Sequence, residues 1–336
     1  MKFLYYFILT LLFCTHSSVL QAQKQAKPKE GDGVTTFLQR YNCNTPKLRK
    51  EFMQLNKNKF TKDGGLILGR TYTLPKGAGT TESNERGSKR KKKNTKICEP
   101  LFGSRYENVT VSSHDLEGAC FYLVSGHGGP DPGAIGKVGN RELHEDEYAY
   151  DIILRLGRSL LQHGAKVYFI IQDEKDGIRN DRYLDNSKRE TCMGDPIPLD
   201  QLARLQQRCD KINKLYYRDK SKYKRAVFIH VDSRSKTDQV DVFFYHCEGS
   251  RYGQRLAEHI HETFGRKYDK HQPNRGFSGT VSARNLYVLK RSNPPAVFLE
   301  LGNIQNEKDR KRLILESNRQ ALADWICQGI IRDYKD

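Results

Sequence analysis

No pair of cysteines in this chain is spaced C-x-x-C, so a thiolate zinc site of the usual spacing is excluded. No G-x-S-x-G occurs, which removes the nucleophile elbow that a serine or cysteine hydrolase of that type would need. No internal repeat is visible. Beyond the first 22 residues, no apolar run is long enough to cross a membrane, which takes about 20 residues. Residues 76–97, KGAGTTESNERGSKRKKKNTKI, have almost no apolar content. A segment of that kind cannot bury enough surface to fold, so a basic flexible linker is expected there.

The first 22 residues, MKFLYYFILTLLFCTHSSVLQA, carry a lysine, then an apolar stretch, then small and polar residues ending at Ala22. That is the layout of a secretory signal peptide, with cleavage expected near Ala22–Gln23 and export as the consequence. Phe13 stands before Cys14 where a lipoprotein would place a small residue. The chain has eight cysteines, and Cys14 would leave with the signal. The remaining seven are widely spaced and read mainly as buried apolar residues. A Cys98–Cys120 disulfide is possible, but the sequence does not decide it. The formal net charge is +18, densest in KRKKK at 89–93. In an exported chain that block suits anionic polymers or phospholipid headgroups better than nucleic acid, or it is simply a solvated linker.

Two folded units flank the linker. In residues 30–75, apolar residues at 34, 37, 38 and 41 have helical spacing. TPKLRKEFMQLN repeats it, with Thr45 as N-cap and Pro46 at the first helical position. GLILGRTYTLP then reads as a strand or turn-strand ending at Pro75.

The larger unit, residues 98–336, alternates strand and helix. Strands are expected at 120–125, 165–171, 226–231, 240–246, 286–290 and 296–302. Helices are expected at 146–164, 199–217 and 250–265, with a helical C-terminus over 309–334. This pattern implies a layered α/β domain, with a largely parallel mixed sheet and helices on both faces. The polar stretch 173–198 reads as a surface insertion.

In such sheets, functional residues gather where strands end. YLVSGHGG puts His127 just past the first strand, AVFIHVDS puts His230 at a strand end, and AVFLELGN puts Glu300 inside a strand. Either histidine alone would be an ordinary polar residue. A carboxylate in so apolar a strand is different, because unpaired burial costs several kcal/mol and calls for a cation, a proton or a metal. RELHEDEYAY adds Glu142, Glu145, Asp146 and Glu147 at a helix start, where acids also suit the helix dipole. Together these residues offer two imidazoles and a carboxylate for zinc with one position open, plus a general base. Gly126, Gly128 and Gly129 allow a tight turn and close approach of substrate. His246, His259 and His261 read as structural or surface residues.

SGHGGPDPGAIG, EDEYAYDIILRLGRSLLQHGAKVY, RCDKIN, FIHVDS and PAVFLELGNIQNEKD occur in the order found in the zinc-dependent N-acetylmuramoyl-L-alanine amidases, and most of residues 119–334 resembles that family. The resemblance implies Zn²⁺ held by His127, a helix-start glutamate and His230, with Glu300 catalytic. It implies peptidoglycan as substrate, cut between N-acetylmuramic acid and L-alanine of the stem peptide during wall turnover or daughter-cell separation. That places the protein in the periplasm or cell envelope. The chain departs from the family at Ser125, Val231 and Asp232, and in the length of the 173–198 loop. Counting forward from His127 favours Glu142 as the third ligand, whereas counting back from the helix favours Glu145. Glu145 is expected, because helical register is rigid and a loop tolerates insertions. Arg208 and Asn213 also match a family pattern, though a helix-face salt bridge and a cap explain them adequately. GDGVTTFLQRYN, Leu55–Asn56 and LGRTYTLP resemble a LysM module, which implies a small βααβ unit that binds N-acetylglucosamine-containing glycans. A non-catalytic wall-binding protein and a zinc peptidase acting on the stem peptide are the alternatives.

Overall fold

The computed structural model describes residues 24–29, 32–41, 43–61, 64–75 and 95–336. The expected signal peptide and nearly all of the expected linker lie outside them. The chain divides into two compact units, residues 1–84 and 85–336.

The first unit runs β1 (Gln25–Ala26), α1 (Val34–Gln39), α2 (Pro46–Leu55) and β2 (Tyr72–Thr73), with β1 and β2 paired antiparallel. The first strand precedes the expected start at residue 30. Thr45 caps α2 as expected, its side chain accepting from Leu48 N at 3.2 Å, and Pro46 opens the helix. Phe37, Phe52 and Tyr72 are fully buried, with ring centroids 5.7–5.8 Å apart. Asn56 ties the end of α2 to β2, because its amide bonds both Thr73 O and Thr73 N. Of the two readings of GLILGRTYTLP, strand or turn-strand, the structure has the second, with the strand confined to Tyr72–Thr73. Before it the chain turns, and Leu68 is 63% exposed.

The second unit begins with β3 (Lys96–Cys98) and β4 (Asn108–Thr110), which pair with each other. The last two residues assigned to the linker, Lys96 and Ile97, therefore belong to a strand. The next elements are β5 (Ala119–Ser125), β6 (Ile135–Val138), β7 (Arg141–His144), α3 (Glu145–Gln162) and β8 (Lys166–Phe169). β9 (Ile171–Gln172) comes just before the insertion, which contributes β10 (Thr191–Cys192) and β11 (Asp195–Pro196). They are followed by α4 (Gln201–Arg218), β12 (Tyr223–Asp232), β13 (Phe243–His246), α5 (Arg251–His271) and β14 (Thr280–Ala283). The chain closes with α6 (Tyr287–Arg291), β15 (Ala296–Asn303), α7 (Glu307–Ile314) and α8 (Glu316–Lys335).

The main sheet has the order β14-β13-β15-β12-β5-β8. Its four strands from β15 to β8 are parallel, and β13 runs antiparallel to β15. Alternate residues of each central strand enter opposite cores, as the two-residue period of a strand requires. Phe121, Leu123, Val227, Ile229, Val297 and Leu299 pack with residues of α3, α5 and α8. Tyr122, Val124, Ala226, Phe228, Ala296 and Phe298 pack with residues of α4 and α6. By the same alternation, His230 and Glu300 belong to the α4 face, and the parallel register sets them directly opposite each other.

Three expectations change. Of residues 286–290, Leu286 is the N-cap of α6 and the other four lie in that helix, not in a strand. Val288 and Leu289 are buried side by side in the core that includes Ile212, and Asn213 Nδ2 donates to Arg291 O at 2.8 Å. Strand β13 starts at Phe243, because Val240 donates its N–H to Asp309 and gives its carbonyl to Arg312 instead of to a strand. The C-terminal helix is two helices. Asn306 caps the first through Lys308 N and Asp309 N, and the chain turns at Leu315. Strand β14 was not anticipated. It lies at the sheet edge with three exposed residues, Thr280, Ser282 and Ala283, and carries no apolar alternation.

The buried polar residues of α3 join the layers. Asp151 accepts from Arg155 Nε at 2.8 Å, Arg319 Nε at 2.6 Å and Arg179 N at 2.8 Å, and all but Arg179 are almost fully buried. Removing one member would leave uncompensated charge inside the fold, at a cost of about 3–5 kcal/mol. All seven cysteines among the described residues are free, Cys98 and Cys120 included.

Candidate metal centre and active site

Two strand ends and one helix start meet at a point. His127 follows β5, Glu145 opens α3, and His230 ends the apolar part of β12. One ligand atom from each lies within 4.8 Å of the other two. Glu145 Oε1 contacts His230 Nδ1 at 2.9 Å, and Glu145 Oε2 lies 3.3 Å from His127 Nε2. The amides of Val231 and Ala134 donate to the same two oxygens at 3.0 and 2.9 Å, fixing the carboxylate plane.

Of the four acids at the helix start, only Glu145 reaches this point. Glu142 is on β7, half exposed and paired with Lys137 at 3.1 Å. Asp146 and Glu147 are buried in a separate group.

Each member is held from behind. His127 has φ 55°, left-handed backbone that a non-glycine residue adopts only under constraint. Asp131 supplies one constraint, lying 2.9 Å from His127 Nδ1. A proton on Nδ1 shared with Asp131 leaves Nε2 as the free nitrogen facing Glu145. Arg204 holds Asp131 in turn at 2.6 Å. Arg208 supplies the other constraint by donating to the His127 carbonyl. Arg208 is buried and reaches across to the loop, so it is not a helix-face salt bridge. Asn213 lies inside α4 and does not cap it, but it closes the C-terminal end of α6 by donating to Arg291 O and accepting from Asn293 N.

The glycines have specific tasks here. A Cβ on Gly126 would overlap the His230 ring, so that glycine makes room for a ligand, whereas close approach of substrate was expected. A Cβ on Gly133 would come 2.6 Å from Glu145 Oε2 and 2.7 Å from His127 Cδ2. The His230 ring stacks on Phe298, with centroids 4.3 Å apart.

The electrostatics follow from these contacts. Burial alone would lower His127, but its hydrogen bonds to Asp131 and Glu145 raise it to about 10. Burial lowers His230 against the pull of Glu145. Burial opposes ionisation of Glu145, yet the two imidazoles hold it well below the usual carboxylate range. Glu300 is the reverse case. Burial, then the charges of Glu145 and Asp232, push it up to about 9, and its Oε2 is buried with no hydrogen-bond partner.

His246, His259 and His261 lie elsewhere, against Cys247 O, Asp336 and Gly279 O. The 173–198 insertion does reach the site, because Glu190 Oε2 accepts from Gly129 N at 2.9 Å.

Residues 122–332 match the family described as N-acetylmuramoyl-L-alanine amidase. The chain belongs to that family. The probable cell wall amidase LytH of Staphylococcus epidermidis is 25% identical over 221 residues, which is 66% of this chain and 60% of that protein. The LytH protein of Staphylococcus aureus is 25% identical over 231 residues, with the same coverage. The chain thus spans about 60% of the length of the curated relatives it matches. Among solved structures, N-acetylmuramoyl-L-alanine amidase AmiC2 of Nostoc punctiforme is similar at 21% identity and TM-score 0.47, over 67% of this chain and 99% of that one. The amidase-family segment includes His127, Glu145, His230 and Glu300, and also the insertion.

Proposed function

We propose that the protein is a zinc-dependent N-acetylmuramoyl-L-alanine amidase that hydrolyses the amide between N-acetylmuramic acid and L-alanine of the peptidoglycan stem peptide. The observation that carries this reading is the convergence of His127, Glu145 and His230 beside the unpartnered carboxylate of Glu300. Two imidazoles and one carboxylate suit zinc and leave a coordination position open. The space kept by Gly126 and Gly133 is the space those ligands occupy.

Zinc at this site supplies a Lewis acid, which brings the pKa of a water to about 7 and polarises the amide carbonyl. The protein's own groups do the rest. Asp131 fixes the ring orientation of His127, and Val231 N and Ala134 N fix that of Glu145. Glu300 takes the proton of the attacking water and returns it to the leaving amine. Burial raises the proton affinity of Glu300, and the positive charge of zinc held beside it would lower it again, toward the ionised carboxylate that the first half of that transfer needs.

The strand–helix–helix–strand order of the first unit supports reading it as the LysM-like glycan-binding module, extended back to β1. A wall substrate implies work in the periplasm or cell envelope, in wall turnover or daughter-cell separation.

Digestion of purified peptidoglycan tests the reaction. Mass spectrometry should find stem peptides with a free L-alanine amine and glycan carrying free lactyl carboxylates. New amines inside the stem peptide would instead make the protein a peptidase. No release at all, with zinc bound, would make it a wall-binding protein.

A further inference from the structure

A second group of acids adjoins the zinc-ligand set and has no part in the reaction above. Asp146, Glu147 and Glu190 are 3%, 1% and 6% exposed. One carboxylate oxygen from each lies within 4.8 Å of the other two. Their partners do not balance their charge. Glu147 accepts from Arg179 Nη1 at 2.8 Å and from the amide of Ser187. Arg179 is itself shared with Asp176 at 3.1 Å. Glu190 accepts from an uncharged donor, Gly129 N. Asp146 accepts through Oδ1 from the adjacent Glu147 amide at 2.9 Å, and its Oδ2 is buried with no partner at all. A buried oxygen of this kind, on a residue grouped with two further buried carboxylates, lacks a positive partner.

We propose that Asp146, Glu147 and Glu190 bind a hard divalent cation, Ca²⁺ or Mg²⁺, that fastens the insertion to the loop carrying His127. All three donors are carboxylate oxygens, the ligands these ions prefer, with no nitrogen or sulfur to favour a transition metal. Ca²⁺–oxygen distances of about 2.3–2.6 Å let oxygens on opposite sides of one ion lie up to about 5 Å apart. The observed spread fits within that limit. The donors also come from the segments that need joining. Asp146 and Glu147 are in the first turn of α3, directly after Glu145. Glu190 is in the insertion and holds the amide of Gly129, two residues from His127. The cation neutralises the acids and locks the insertion against the His127 loop.

The test uses the full zinc-loaded chain in buffer stripped of other metals. CaCl₂ or MgCl₂ is added to about 1 mM, the range of weak extracellular calcium sites. Calorimetry should find one saturable equivalent of one or both ions. The thermal midpoint should rise by about 4 °C at ten times the Kd, with zinc content unchanged. Glu190→Gln and Asp146→Asn should each weaken binding by at least about tenfold. Retained zinc and an unchanged circular dichroism spectrum would separate that loss from misfolding. Crystals soaked in Mn²⁺ provide a variant-free readout, with an anomalous peak expected among the three carboxylates. No saturable uptake by the wild-type chain would overturn the proposal, since the acids would then be holding protons. Equal uptake by both variants, displacement of zinc, or an anomalous peak elsewhere would overturn it as well.

Discussion

Glu300→Gln retains zinc and loses at least about 100-fold in peptidoglycan hydrolysis, the lower end of what a positioned acid–base group contributes. Glutamine keeps the size of the side chain and removes the proton acceptor. Zinc stays because His127, Glu145 and His230 are untouched. The same variant has a second signature in the metal-free protein. There the folded state holds Glu300 at about 9, against an ordinary 4.5, because of burial and the charges of Glu145 and Asp232. A raised carboxyl favours the protonated folded form. Below pH 4.5 both folded and unfolded states are protonated and wild type and variant differ little. As pH rises toward 9 the wild type loses stability that glutamine keeps, so the variant's advantage in thermal midpoint grows over that window. Hydrolysis by Glu300→Gln at more than a few per cent of the wild-type rate would remove Glu300 from the mechanism.

Glu145→Ala loses zinc affinity by more than about 100-fold, and activity with it, since even outer-shell partners of a metal commonly account for 10–100-fold. It also leaves the two imidazoles without the carboxylate that joins them. Glu142→Ala keeps both zinc and activity, because Glu142 lies half exposed beside Lys137. Glu147→Ala is not the neutral control that its place in the helix suggests. It would strip from Arg179 the nearer and more buried of its two carboxylate partners, so instability is expected there together with retained zinc affinity. Metal analysis of the three purified variants decides between them. Full zinc occupancy in Glu145→Ala would mean that the ligand set is wrong.

The central strands were legible because both of their faces are buried. CFYLVS, AVFIHV and AVFLELG are near-continuous apolar runs, and parallel strands covered on both sides read that way. Glu300 stood out by breaking that pattern. Strand β14 was not legible, because an edge strand with exposed residues needs no apolar alternation. Segment 286–290 misled for the opposite reason: Leu286, Val288 and Leu289 are apolar whether they enter a sheet or lie on α4. Helical register picked out Glu145 because α3 starts at that residue. Asp131 and Arg208 were harder. Asp131 stands four residues after His127 within HGGPDPG, which is a usable signal for a turn that returns to the ring. Arg208 reaches His127 from 81 positions away, and only the packing of α4 against the sheet brings them together.

The central claim is that two imidazoles and Glu145 hold zinc where Glu300 can act. Zinc-edge X-ray absorption on the stoichiometrically loaded chain tests it most directly. Nitrogen and oxygen ligands at about 2.0–2.2 Å are predicted, with outer-shell scattering from two imidazoles. Sulfur at about 2.3 Å, or scattering from no more than one imidazole, would contradict it.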